Sequence, residues 1–147
     1  MIHLIDFRSG KVSYRNRWVR TRCFEAEQEA GGSLWGGLMD GKGVSLRPGY
    51  GAHGRLKESS STDVIVHAGK AISTFYQCGE GYLLDPETLE QEGVAPWVSL
   101  DGISAHPKVD ERESMFFNYS KHAPYVHYGV VGPDAKLARP DSSSMTW

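Results

Sequence analysis

Short runs rich in β-branched and aromatic residues, separated by turn residues, recur along this chain, and that pattern predicts strands. Ile2 to Phe7 and Lys11 to Val19 read as two strands joined at Arg8-Ser9-Gly10, a hairpin connection of ordinary length. Thr21 can cap a short helix from Cys23 to Ala30, which Gly31-Gly32 would stop. Residues 31 to 61 are rich in glycine and serine, with isolated apolar positions such as Trp35, Leu38 and Leu46, and read as a long loop. Val64-Ile65-Val66 then forms a strand, Ala68-Gly69-Lys70 a turn, and Ile72 to Tyr76 its partner. Tyr82-Leu83-Leu84 leads into the turn Asp85-Pro86-Glu87-Thr88, with proline at its second position, and Leu89 begins the next extended piece. Met115 to Ser120 and Tyr125 to Val131 make a further pair, ended by Gly132-Pro133-Asp134. Met115, Phe117 and Tyr119 share one face of the first of these, and Val126, Tyr128 and Val130 one face of the second. The class is all-β, built of antiparallel meanders with a long Gly-rich loop; a sandwich, a barrel and propeller blades all fit, and no strict internal repeat selects among them.

Composition narrows the function. A chain of 147 residues has room for one domain at most. A net charge of −2 and a pI near 6.3 give no electrostatic footprint for nucleic acid. Arg15, Arg17, Arg20 and Arg22 form the one basic run, and their alternation reads as a solvated strand edge. No apolar run approaches the roughly 18 residues a membrane span needs, and Met1-Ile2-His3-Leu4-Ile5-Asp6 does not look like a signal peptide. Cys23 and Cys78 lie far apart without metal-type spacing, which predicts reduced thiols in a cytoplasmic protein.

The candidate chemistry is sparse. Gly49-Tyr50-Gly51-Ala52-His53-Gly54 is a formal G-x-G-x-x-G, but Arg55-Leu56-Lys57-Glu58-Ser59-Ser60-Ser61 follows it, and no apolar-faced helix could pack there to make a nucleotide site. No His-x-Glu, His-Glu-x-x-His or Cys-x-x-Cys pattern supports a self-contained zinc site, and no Gly-x-Ser-x-Gly elbow supports a serine triad. Of six histidines, His3, His53 and His122 sit in exposed contexts, His67 at a strand end where it can serve a turn, and His127 away from the face of Val126 and Tyr128. His106 differs. Proline at 107 fixes its own backbone and pushes the preceding residue into the extended region, so the imidazole has a preset direction at the mouth of the strand that follows.

The words around His106 carry a resemblance. Thr62-Asp63-Val64-Ile65-Val66-His67-Ala68-Gly69-Lys70, Leu84-Asp85-Pro86-Glu87-Thr88-Leu89-Glu90, Ser104-Ala105-His106-Pro107-Lys108-Val109-Asp110, Phe116-Phe117-Asn118-Tyr119-Ser120 and Pro124-Tyr125-Val126-His127-Tyr128-Gly129-Val130-Val131 come in this order. Together they resemble the carotenoid oxygenase family, iron dioxygenases that cleave carotenoids, apocarotenoids and stilbenes. The resemblance runs from Met1 to about Val131 and implies part, about two to three blades, of a seven-bladed β-propeller. Residues 1–131 would be that partial domain and 132–147 a divergent or truncated tail.

It also implies a ferrous ion, Fe(2+), held by four histidines, of which His106 matches the first; the other three have no counterpart here. Gln77 stands where several members place a glutamate that orients a ligand histidine; its amide oxygen can still accept from an imidazole N–H, without the charge. The activity implied is cleavage of a conjugated double bond by dioxygen to two carbonyl products, on an apolar polyene or stilbene-type substrate. Phe116, Phe117, Tyr119, Tyr125 and Tyr128 could line its tunnel or simply fill the blade core. A peripheral membrane contact for substrate uptake belongs to the same implication. The alternative is an inactive fragment, or a non-catalytic β-module without metal, since one ligand does not hold iron tightly.

Overall fold

Ser9 and Gly10 both take positive φ, 50° and 74°, the two-residue turn whose twist matches antiparallel strands. It folds β1 (Ile2–Arg8) onto β2 (Lys11–Arg17) in full register. The computed structural model describes residues 1–37, 39–40, 57–75, 79–98, 102–119 and 127–139. The glycine motif at 49–54 lies outside them, as do Gln77, Cys78, His122 and Tyr125.

After the hairpin the chain turns into α1 (Arg22–Ala30). Thr21 is its N-cap, its hydroxyl accepting from the Phe24 N–H at 3.1 Å, and Gly31 closes it in the left-handed region at φ 70°. The helix starts one residue before the predicted Cys23, so Arg22 leaves the strand-edge series. Its guanidinium instead reaches Glu80 at 2.8 Å, a carboxylate only 3% exposed. Cys23 packs with Leu34 and Trp35 in a small cluster beneath the helix.

Two four-stranded antiparallel sheets complete the described fold. The first is a meander of β3 (Asp63–His67), β4 (Lys70–Thr74), β5 (Tyr82–Leu84) and β6 (Gln91–Val94). Its first turn again has two positive φ values, Ala68 at 48° and Gly69 at 73°. Between β5 and β6, Asp85 Oδ1 accepts from the N–H groups of Glu87 and Thr88. Leu89, predicted to open the next strand, is instead a buried turn residue at φ 61°. The second sheet runs β7 (Lys108–Val109), β8 (Met115–Tyr119), β9 (His127–Val131) and β10 (Leu137–Arg139). Strand β7 is the strand expected after His106, whereas β10 has no counterpart in the sequence pattern, being too short to show one.

The core sits between these layers. Ile2 and Val19 pack with Ala71, Tyr82, Leu84 and Leu89, joining the hairpin to the first sheet. Ile72 packs with Ile103, Met115 and Val131, joining the first sheet to the second.

A buried acidic knot ties the strap before β3 to this core. Glu58 is 2% exposed. Its Oε1 accepts from the Glu80 N–H at 2.8 Å, and its Oε2 from the Tyr82 hydroxyl at 3.1 Å. The same hydroxyl stands 3.0 Å from Glu80 Oε2, so one phenol proton is placed between two carboxyl groups. Gly79 permits the approach, since a Cβ there would lie 2.6 Å from Phe75 Cβ and 2.9 Å from Glu58 Oε1. Burial, with the nearby Glu80 charge, pushes the Glu58 carboxyl up to about 7. A carboxyl raised in the folded state contributes stability that is complete below its ordinary value of 4.5 and lost as pH rises through 7. The wild-type chain is therefore expected to lose on the order of 3 kcal/mol between pH 5 and pH 8. E58Q, which does not titrate, should flatten that part of the curve in urea melts; an unchanged slope would refute the assignment.

Candidate metal centre

His106 stands in a strip pinned on both sides. Upstream, the Ile103 N–H bonds the Gly79 carbonyl at 3.1 Å in an isolated antiparallel bridge. The buried Thr74 hydroxyl donates to the Ala105 carbonyl at 2.6 Å. Downstream, Pro107 is fully buried, and Lys108 and Val109 enter β7 opposite Phe116 and Met115. The backbone is thus fixed from four directions while the imidazole stays out, with its side chain 61% exposed.

Among the described residues that ring has one polar partner. Nδ1 lies 3.1 Å from Asp63 Oδ2, at the first residue of β3. A carboxylate accepts only, so Nδ1 carries a proton, and in the neutral ring the lone pair is then on Nε2. A carboxylate behind an imidazole, with the far nitrogen free, is the arrangement that orients histidine toward a metal. The bond to His106 is the largest influence holding the Asp63 carboxyl below its usual range, helped by the Val64 N–H on Oδ1. The fit is to one ligand. No group of three or more His, Cys, Asp or Glu able to hold a metal occurs among the described residues.

Other histidines divide as their surroundings dictate. His67 is 4% exposed, and its Nε2 donates to the Glu113 carbonyl at 2.9 Å. That buttresses the turn at Asp110–Ser114, whose Asp110 Oδ1 accepts from the Arg112 and Ser114 N–H groups. It serves a turn, though one forty-six residues away in the chain. His3 is exposed beside Tyr14. Gln77 falls outside the described residues, and among those described Asp63 bonds His106.

Sequence reasoning missed Asp63, although it lies in one of the words quoted above, because nothing local links it to His106. A groove of about 310 Å³ lies between the hairpin and the Asp85–Thr88 turn, lined by Asp6, Arg8, Arg15 and Glu87 among others. Its charged lining does not suit an apolar polyene. No helix among the described residues is long and apolar enough to cross a membrane.

The chain matches the family described as "Retinal pigment epithelial membrane protein" over residues 1–146. It is 31% identical to lignostilbene-alpha,beta-dioxygenase isozyme III of Sphingomonas paucimobilis, over 91% of this chain and 26% of that protein. It is 30% identical to carotenoid cleavage oxygenase 1 of Neurospora crassa, over 90% of this chain and 25% of that protein. Among solved structures, cobalt-substituted Synechocystis apocarotenoid oxygenase superposes with a TM-score of 0.67 at 21% identity, covering 93% of this chain and 31% of that one. The chain therefore spans about a quarter to a third of the length of these relatives.

If the His106 bond lowers the Asp63 carboxyl, H106A should raise it part of the way to its ordinary 3.8, the Val64 N–H remaining. A carboxyl-detected NMR titration reads this directly, and an unmoved Asp63 would show that the pair does not form.

Proposed function

Since the chain belongs to the carotenoid oxygenase family, we propose that it supplies the first histidine corner of a ferrous centre that cleaves a carbon–carbon double bond of a carotenoid, apocarotenoid or stilbene-type substrate with dioxygen, giving two carbonyl products. Its fold is part of the family's β-propeller. Each four-stranded sheet has the strand complement of one blade, and the hairpin belongs to a further one. The observation that carries the iron reading is the His106 ring, with Nδ1 against Asp63 and no partner for Nε2 among the described residues, on a backbone pinned by Thr74 and Pro107.

Iron, when bound, supplies the dioxygen and redox chemistry. Everything else asked of this chain is positioning. Asp63 holds the tautomer in which Nε2 is the donor, and raises its basicity through the ring. Thr74 and the Gly79–Ile103 bridge fix where the ring originates. Neutral imidazole suits ferrous iron, and relatives named for lignostilbene and carotenoid cleavage support the substrate class. The remaining ligands come from outside the described residues in this reading.

One donor without companions among the described residues also favours a second reading for the 147-residue chain on its own, a β-module that holds no metal at physiological concentration.

A cobalt(II) titration of the 147-residue chain, followed by NMR of the histidine rings, tests the ligand. His106 should respond first, with weak affinity on the order of millimolar expected of a single imidazole. H106A should abolish the response and D63N weaken it several-fold. Equal broadening at His3, or unchanged binding by H106A, would remove the iron reading.

A further inference from the structure

One face of β3 meets the segment that carries His106 at three points. Alternate residues of a strand share a face, and on β3 these are Asp63, Ile65 and His67. Asp63 bonds the His106 ring. Ile65 packs on the cluster of Ile72, Ile103, Met115 and Val131. His67 donates from Nε2 to the Glu113 carbonyl, in the turn that joins β7 to β8. Val64 and Val66, on the other face, are exposed. The extended strand sets the two polar contacts about 13 Å apart, one before β7 and one after it.

We propose that His67 is a positioning residue for His106: by holding the β7–β8 turn against the far end of β3, it fixes the pose in which the His106 ring meets Asp63. This rests on the reading of His106 as a metal ligand, and adds to it the group that keeps the ligand aimed.

Strand β7 has little hold of its own. It is 2 residues long, pairing Lys108 with Phe116 and Val109 with Met115. So short a pairing specifies its register weakly, and a slip of one residue turns every side chain to the opposite face. The turn beyond it opposes that slip. There Glu113 sits in the left-handed region at φ 58°, a conformation that a residue with a Cβ keeps only where its surroundings hold it. The bond to its carbonyl is such a hold. It comes from a side chain 4% exposed, whose N–H could lose that partner only at the cost of a buried unmet donor. It also comes from a strand registered with β4 along its whole length. At the near end Thr74, the register partner of Asp63, fixes the Ala105 carbonyl. A strip pinned at one end can pivot, and the bond at the far end removes that freedom. Ile65, between the two, makes a contact without direction.

Ring 15N–1H correlation spectra of the 147-residue chain, at a pH where imidazole is neutral, test this. In the wild-type chain His106 should carry its proton on Nδ1. H67A should shift His106 toward the form with the proton on Nε2, and weaken its cobalt(II) binding several-fold. H67N, whose amide ends short of the Glu113 carbonyl, should do the same, and carries the test where H67A does not fold. H67Q brings an amide N–H to the place of the imidazole Nε2 and should restore both readings. V19A, which opens a cavity between the hairpin and the first sheet, should lower the urea midpoint and leave the His106 ring unmoved, separating aim from general stability. An unmoved ring in H67A and H67N, no rescue by H67Q, or the same shift in V19A would each overturn the proposal. No cobalt response at His106 even in the wild-type chain, with the ring shift and its rescue intact, would remove the metal reading and leave the clamp standing.

Discussion

The strip from Ile103 to Val109 depends on a single contact more than on any other, the 2.6 Å bond from the Thr74 hydroxyl to the Ala105 carbonyl. Thr74 is fully buried at the end of β4, so its hydroxyl has no water to turn to, and the carbonyl before His106 is its partner. Pro107 cannot donate a backbone N–H, and its ring is fully buried. Between a carbonyl fixed by a buried hydroxyl and a fully buried ring, His106 has little freedom of backbone direction. The imidazole is held at one corner of the first sheet, where Asp63 opens β3, and at the start of the second, where β7 begins.

The same economy of polar groups operates in the acidic knot. Glu58, Glu80 and Tyr82 bring two carboxyls and one phenol together out of water, with Arg22 on one of them. The arrangement stays favourable because a proton can be retained by Glu58, whose carboxyl is pushed up to about 7. This ties α1, the strap before β3 and strand β5 to one another. The hairpin faces the opposite problem: its charges lie inward, and its uncharged apolar surface lies outward. Each feature makes sense only as part of a layered assembly in which sheet faces are covered on both sides, as stacked blades are.

Much of this was legible along the chain. The turns at Ser9-Gly10 and Ala68-Gly69, the Thr21 cap and the Gly31 stop rest on backbone preferences of one or two residues, and they appear where the pattern puts them. Leu89 was misread because a left-handed Leu in a turn leaves no trace in hydrophobic patterning, and Arg22 because its partner is fifty-eight positions away in Glu80. His106 was marked by its proline and by the words around it. Asp63, forty-three residues upstream, was not, since the pairing of β3 with β4 and the bridge at Gly79 are needed to bring it there.

By itself, then, the amino-acid order determined what depends on neighbours in the chain: strand and helix type, turn chemistry and, through its motifs, the family. Tertiary structure alone decided which carboxylate backs that imidazole, which acid is buried with Tyr82, and which face of the hairpin looks outward. The physical reason is range. Local dihedral preference acts over a few residues, whereas hydrogen-bond partners and burial are chosen only after sheets from distant parts of the chain have packed.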